Sequence, residues 1–265
     1  MKLRTSVLAL AMLAIAGSAS ATVCNLTLIN SRCVINGAIF ANPDNLTNIG
    51  SGQILPFLTT QRNDTESGFS TDVSGSANLP LDDKRDNANT FTNTLTRANV
   101  GTQQDQGIDY VAFFLDVNEP ANDDSLISLD SFVIYGTGAS SPFTTPKTET
   151  LAQLDTLLGG NLIYRLGVGN SILLDANIFK GSGIGVDMIA LIPVVDFTGP
   201  QDNRFVVATQ FGQAGGFAGT ADGFEEWYAL KGAVPPPPPP GVPEPGVVML
   251  IGAALLGAFI QRKRA

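Results

Sequence analysis

The apolar segments of this chain are short, and clusters of turn-forming residues separate them. The most constraining segment is residues 109–117 (DYVAFFLDV), in which the six residues 110–115 are all apolar or aromatic. A run of this length is too short for a typical helix and indicates a central strand that is buried on both faces. The 28 glycines and a charged fraction of only 15% also favour turn-dense β structure over a helical bundle. We therefore expect an all-β fold.

Other segments rich in Val, Ile, Phe, Leu and Thr predict the remaining strands. Residues 23–28 and 33–40 suggest a hairpin around Asn30-Ser31, and residues 126–135 are the expected antiparallel neighbour of 109–117. A second hairpin is expected where 161–166 and 171–174 flank Gly167-Val168-Gly169-Asn170. Further strands are expected at 185–195, 204–211 and 224–230, the last closing the sheet. Residues 41–105 predict short strands and long loops.

One short helix is expected among the strands. Thr150 and Gln153 fit the capping box that begins a helix. An apolar stripe follows at Leu151, Leu154, Leu157 and Leu158, and Gly159-Gly160 ends it. We expect a helix of one to three turns that crosses an edge of a β-sandwich.

The N-terminus has the three parts of a secretory signal peptide. Lys2 and Arg4 supply positive charge, residues 7–16 are apolar, and Ala19-Ser20-Ala21 places small residues before a cleavage site. The apolar stretch is too short to span a bilayer comfortably. We therefore assign residues 1–21 as a signal peptide and expect the rest of the chain to be exported.

The C-terminus has four parts in order. A run of six prolines at 235–240 favours an extended polyproline II rod. The tetrapeptide Val242-Pro243-Glu244-Pro245 follows, then an uncharged stretch at 246–260 and the basic residues Arg262, Lys263 and Arg264. The apolar stretch predicts a short transmembrane helix at 246–261, and the basic residues stay cytoplasmic by the positive-inside rule.

The order of these C-terminal parts resembles the PEP-CTERM sorting signal of Gram-negative bacteria, which occupies residues 242–265 here. The resemblance implies export across the inner membrane, an exosortase as the partner that recognises the tail, and a membrane-anchored stage before the protein reaches the cell surface or the extracellular space. The association of the family with exopolysaccharide producers implies extracellular polysaccharide as a further partner.

The second half of the chain, over roughly residues 107–231, also resembles the globular domain of many PEP-CTERM proteins. Three motifs carry the likeness: Ser128-Leu129-Asp130, GSGIGVDM at 181–188, and Gly223-Phe224-Glu225-Glu226-Trp227. The resemblance implies a jelly-roll-like β-sandwich with no assigned activity. We expect a β-sandwich ectodomain at 22–231 and a proline-rich linker at 232–241.

The charge of the central segment excludes one class of partner. Five of the 15 basic residues and one of the 24 acidic residues lie in the two end segments, which leaves ten basic and 23 acidic residues, a net −13 for residues 22–241. Such an acidic surface repels nucleic-acid backbones. We expect no binding to nucleic acid.

The rare residue types exclude several kinds of catalysis. The chain has no His, so it has no Ser-His-Asp or Cys-His centre and no His-ligated zinc. Its two cysteines, Cys24 and Cys33, are too few for a four-thiolate metal site. In an oxidising compartment we expect them to form a disulfide across the first hairpin. Free thiols or an intermolecular bridge are the alternatives.

One acidic segment is a candidate calcium site. Asp116, Asn118, Glu119, Asp123 and Asp124 supply the hard oxygen ligands that Ca²⁺ prefers. The segment lacks the glycine of an EF-hand and has a proline at a ligand position. A solvated acidic turn is the alternative interpretation, and it leaves the protein without a cofactor. Asp187, Asp196 and Asp202 are further candidates of the same kind.

The adjacent carboxyl groups Glu225 and Glu226 do not predict a glycosidase. On a strand they point to opposite faces, so they cannot converge on one bond. We expect one in solvent or in a hydrogen bond and the other buried near Trp227. Five aromatic residues are candidates for a sugar-stacking face or for the core, and alternation along strands favours the core: Tyr110, Tyr135, Tyr164, Trp227 and Tyr228.

The sequence therefore favours an exported protein of the cell surface or extracellular matrix without catalytic activity. The alternative is a carbohydrate-binding or calcium-dependent adhesin module.

Overall fold

The computed structural model describes residues 21–43, 54–72, 81–84, 92–119, 125–138, 150–178, 186–199, 203–212, 220–221 and 223–232. These residues form two seven-stranded sheets, one two-stranded sheet and one α-helix. The all-β class with one short helix is therefore confirmed. Every described strand belongs to a compact unit that ends at Lys231.

The first sheet has the order β1-β12-β10-β14-β6. Strand β11 also pairs with β10, and β7 also pairs with β14. The β1–β12 pair is parallel and the other pairs are antiparallel. Its strands are β1 (Val23–Asn25), β6 (Glu66–Phe69), β7 (Leu95–Thr96), β10 (Leu126–Gly136), β11 (Leu162–Arg165), β12 (Ser171–Asp175) and β14 (Arg204–Phe211).

The second sheet has the order β2-β3-β13-β9-β16-β4, and β8 also pairs with β9. All its pairs are antiparallel. Its strands are β2 (Arg32–Ile35), β3 (Ala38–Ala41), β4 (Ile54–Thr60), β8 (Thr102–Asp105), β9 (Ile108–Val117), β13 (Met188–Pro193) and β16 (Glu225–Leu230). The small third sheet pairs β5 (Asn63–Asp64) with β15 (Thr220–Ala221).

One hydrophobic core lies between the two large sheets and draws side chains from both, as in a β-sandwich. Its centre is aromatic. Phe132 of the first sheet stacks on Trp227 of the second with ring centroids 4.9 Å apart, and it also contacts Phe40, Phe113 and Tyr164. Strand β9 has buried residues on both faces, since Phe113 lies in this core while Phe114 lies in a separate apolar cluster. The central position predicted for β9 is confirmed.

The helix α1 (Leu151–Leu158) begins where the sequence predicts. The Thr150 hydroxyl accepts a hydrogen bond from the Gln153 backbone N–H at 3.1 Å. Leu154 and Leu158 are buried in a cluster with outward side chains of the first sheet. The helix therefore covers the outer face of that sheet. The prediction that it crosses an edge of the sandwich is wrong, because outward apolar residues such as Val133 and Val206 give it a face to bury against.

The predicted first hairpin is wrong. The residues before and after Asn30-Ser31 enter different sheets, as β1 pairs with β12 and β2 pairs with β3. The hairpin in this region turns instead at Asn36-Gly37, where φ is 51° and 84°. Asn-Gly favours this two-residue turn because both positions require a positive φ.

Two further pairings differ from the sequence prediction. Strand β10 is not the neighbour of β9, because the chain crosses from the second sheet to the first between them. Strands β11 and β12 do not form a hairpin with each other. They pair in succession with different stretches of β10, Val133–Tyr135 and Leu126–Leu129. Strand β16 lies between β9 and β4 and does not close the sheet.

Candidate functional site

One end of the second sheet collects carboxyl groups. Strand β9 runs antiparallel to both β13 and β16, so its last residues lie beside the first residues of these strands. In this register Val117 pairs with Glu225, and Asp116 pairs with Glu226. Three strand ends and the segment that follows β9 therefore bring acidic side chains close together.

Alternation along β16 separates Glu225 from Glu226. Glu225 shares the inner face with Val117 and Trp227 and has no exposed surface, whereas Glu226 is half-buried. The prediction that these two carboxyl groups point to opposite faces is confirmed. These two adjacent side chains therefore do not converge on one point.

Glu66 reaches the same interior from the first sheet. It pairs in register with Phe211, which lies in the core, and it has no exposed surface. The Thr60 hydroxyl donates to Glu66 Oε1 at 2.6 Å, and the Arg62 backbone N–H donates to Oε2 at 3.0 Å. Because Thr60 ends β4, these contacts join the edge of the second sheet to the first.

Thr60, whose hydroxyl donates to Glu66, also pairs in register with Glu225. Glu66 and Glu119 both act on the ionisation of Glu225, and we call these three residues the carboxyl cluster. No N–H or hydroxyl group among the described residues donates to either carboxyl oxygen of Glu225. Burial raises the pKa of Glu225 well above its ordinary value, and the two neighbouring carboxyl groups raise it further. Burial also raises the pKa of Glu66, although its hydrogen bonds from Glu225, Thr60 and Arg62 oppose that effect.

A second carboxyl pair lies on the outer face of the same strand ends. Burial raises the pKa of Asp116 to about 7, and the neighbouring charge of Glu226 adds to the effect. The Tyr228 hydroxyl donates to Glu226 Oε2 at 2.8 Å. Burial and this hydrogen bond raise the pKa of Tyr228. This pair has the character of a partly hydrated hydrogen-bonded patch.

Asp187 stands just before β13 and extends the backbone ladder. Its Oδ2 accepts from the Val117 N–H at 2.7 Å, and its own N–H donates to the Leu115 carbonyl at 2.8 Å. Burial raises the pKa of Asp187 to about 8 despite the hydrogen bond from Val117. The side chain therefore has a structural role at the junction of β9 and β13.

The residues of the predicted calcium site are divided by the fold. Asp116 faces Glu226, whereas Glu119 is buried against Glu225. Asn118 donates to Asp116, while Asp123 and Asp124 lie outside the described residues. Of the further candidates, Asp196 stands in a 3-10 turn and Asp202 is not described. Within the ranges that the structure describes, no group of three or more Asp, Glu, Cys or His could hold a metal ion.

A polar groove of about 460 Å³ lies on the outer face of the first sheet near the start of α1. Arg62, Ser67, Asp82 and Gln210 supply its polar lining, and Leu151 adds an apolar side. Asp82 accepts from the Ser67 N–H at 2.9 Å and from Arg62 at 3.3 Å. The groove offers hydrogen-bonding groups of both kinds to a polar ligand.

The disulfide predicted between Cys24 and Cys33 is present, with Cα atoms 6.0 Å apart. Because Cys24 lies on β1 and Cys33 on β2, it joins the two sheets at one margin of the sandwich. It does not cross a hairpin. The difference follows from the wrong assignment of the first turn.

The aromatic residues considered for sugar stacking pack inside the protein. Tyr110, Tyr135, Tyr164 and Trp227 are buried, and Tyr228 is half-buried. The Tyr164 hydroxyl donates to the Ile35 carbonyl at 2.9 Å, a further link between the sheets. The core interpretation is confirmed for the four buried residues.

The proposed address segments lie outside the described residues. This applies to residues 1–20, to Val242, Pro243, Glu244 and Pro245, and to Arg262, Lys263 and Arg264. Within the part of the chain that the structure describes, no helix has the length and apolar character that a membrane crossing needs. The sequence matches no family model, and neither the curated proteins nor the solved structures contain a significant match to it.

Sequence reasoning did not identify Glu66 or the carboxyl cluster. Glu66 stands in the segment ESGF, which has no alternation of apolar residues that would mark its inner face. The alternation around Trp227 did indicate that one residue of the Glu225-Glu226 pair is buried. No pattern in the sequence indicates that Glu66 of the other sheet lies near this pair.

Proposed function

We propose that this chain is an exported protein of the cell surface or extracellular matrix, without catalytic activity, that an exosortase sorts through residues 242–265. Its β domain is displayed outside the inner membrane of a Gram-negative bacterium. Residues 1–21 direct export, and the helix at 246–261 holds the chain in the membrane at the sorting stage. The domain is a jelly-roll-like sandwich followed by the proline-rich linker at 232–241.

The disulfide between the sheets is the observation that carries this proposal. The only two cysteines of the chain, Cys24 and Cys33, are bonded to each other. Disulfides of this kind persist in oxidising compartments and are rare in the reducing cytosol. The bond is therefore compatible with the export that the N-terminal segment predicts.

The sorting step is tested by replacing Pro243, Glu244 and Pro245 together with alanine. A matched control replaces three residues of the proline run, Pro238, Pro239 and Pro240. Each variant carries an epitope tag in the native host and is followed by immunoblot of membrane, surface and medium fractions. We expect the motif variant to accumulate unprocessed in the membrane and the control to be processed normally. Normal processing of both variants would contradict the proposal.

A second candidate function is carbohydrate binding, which the polar groove favours. Its mixed donors and acceptors, with an apolar side at Leu151, suit a hydroxyl-rich ligand. The test is a glycan array and a polysaccharide pull-down with the purified exported protein, with Gln210→Ala as the groove variant and Gln104→Ala on β8 as the control. Loss of binding in the groove variant alone supports this function. If the unmodified protein binds nothing, this function is excluded.

A further inference from the structure

The two large sheets face each other along two lateral margins. At one margin β1 and β2 carry Cys24 and Cys33, so a covalent bond joins the sheets. At the other margin β6 of the first sheet contacts β4 of the second, and β4 is paired with β16. The described contacts that join this second margin include those of the carboxyl cluster, Glu66, Glu119 and Glu225.

The centre of the cluster is enclosed, and neither Glu66 nor Glu225 forms an ion pair with another described residue. Glu66 and Glu225 have no exposed surface, and Glu119 is buried. Of the nearby basic groups, Arg62 contributes its backbone N–H to Glu66, while its guanidinium pairs with Asp82 and is largely exposed. Three carboxyl groups in contact cannot all ionise in such a place, because like charges repel strongly where water does not screen them.

The hydrogen bonds to the cluster indicate which carboxyl group carries the proton. Glu66 accepts from two protein donors, at Thr60 and Arg62, which favours its ionised form. Glu225 receives no such donor, and its polar neighbours are the other two carboxyl groups. Glu225 is therefore the member that donates a hydrogen bond, and Glu66 is its best-prepared acceptor.

We propose that Glu66, Glu119 and Glu225 share protons, and that this carboxyl cluster is a pH-sensitive link that ties β6 of the first sheet to β16 of the second. While the cluster holds its shared protons, it closes the margin. As the pH rises and the cluster ionises, repulsion between the carboxylates loosens β6 from β16. This device is independent of the proposed function.

The direction of the pH effect follows from the raised pKa of Glu225 and Glu66. At pH values above the ordinary carboxyl pKa range, the folded state binds more protons than the unfolded state. The stabilisation by the cluster is therefore complete at low pH and is lost as the pH rises through the pKa of the folded state. The other charged groups near the cluster are mostly carboxyls. Asp82 acts on Glu66, and Asp83 accepts from the Phe69 N–H at 3.1 Å. Lys84 donates its backbone N–H to the Thr59 carbonyl and is exposed. Asp116 and Asp187 lie beyond the inner face, and Asp116 acts on Asp187.

The test compares thermal unfolding of the full-length protein with that of Glu225→Gln between about pH 5 and about pH 9. The matched control is Asp109→Asn, which changes an exposed carboxyl on β9 of the same sheet. Glutamine keeps the shape of the side chain and can donate to Glu66. We therefore expect the melting temperature of Glu225→Gln to fall less over this pH range than the melting temperatures of the unmodified protein and the control, with a difference of at least about 3 °C. Equal slopes in all three proteins would overturn the proposal.

Two measurements keep the proposal testable if Glu225→Gln does not fold. Infrared titration of the unmodified protein should show a buried protonated carboxyl band that persists above the ordinary carboxyl pKa range and disappears as the pH rises further. Its absence above that range would refute proton sharing. Hydrogen exchange, corrected for the intrinsic rate, should accelerate with pH in β6 and β16 more than in β12. Uniform exchange would also refute the proposal. If Ca²⁺ raises the melting temperature and EDTA lowers it in the unmodified protein but not in Glu66→Gln, a cation bridges the cluster and the proposal is wrong.

Discussion

Removal of the disulfide between the sheets should lower stability by a predictable amount. The two cysteines are nine residues apart, so the bond closes a small loop in the unfolded chain. The resulting loss of entropy in the unfolded state stabilises the folded protein by about 2.5–3 kcal/mol. For a domain of this size that corresponds to a fall of about 5–12 °C in melting temperature. Strand β1 has three residues and pairs only with β12, so we expect its margin to open first.

The perturbation is the double variant Cys24→Ala/Cys33→Ala, compared with the unmodified protein with and without a reductant. Reduction is the matched control, because Cys24 is buried and its replacement also removes core contacts. Calorimetry gives the melting temperature, and hydrogen exchange reports on residues 22–35. We expect reduction to account for most of the shift. A fall of less than about 2 °C on full reduction would refute the entropic argument.

Three further variants test local features. Gly37→Ala should destabilise by about 1 kcal/mol because φ at Gly37 is 84°, whereas Gly160→Ala, where a Cβ meets no neighbour, should not. Thr150→Ala removes the helix cap and should cost about 1 kcal/mol, with Thr150→Ser largely restoring it in urea unfolding. Asp187→Asn keeps an acceptor for Val117 but no longer titrates. Because the pKa of Asp187 is raised to about 8, the unmodified protein should lose more stability than the variant as the pH rises through that value, and an identical pH dependence would contradict this assignment.

Local patterns predicted the elements better than their partners. The apolar run of β9 identified a central strand, and the cap residue with its leucine stripe identified α1. Alternation shows which side chains are buried, but it does not say which sheet a strand joins. The turn after β1 and the acidic connection after β9 both cross between sheets, and a connection within one sheet can have the same length and composition.

The same distinction applies to the site. The pairing of Cys24 with Cys33 follows from their being the only cysteines, whereas the joining of two sheets depends on topology. The sequence indicated that one residue of the Glu225-Glu226 pair is buried near Trp227, and the structure shows that it is Glu225. Its contact with Glu66 could not be predicted, because those residues lie far apart in sequence and meet only when β6 and β16 face each other.

The position of β16 determines how the domain resists force. The strand ends at Leu230, the next residue forms a bridge with Val100, and hydrogen-bonded ladders to β9 and β4 flank it. A force applied along the axis of β16 therefore acts on a strand with a neighbour on each side. Both ladders carry that load in shear, so many hydrogen bonds must break together. A terminal strand at a sheet edge would instead peel away one bond at a time.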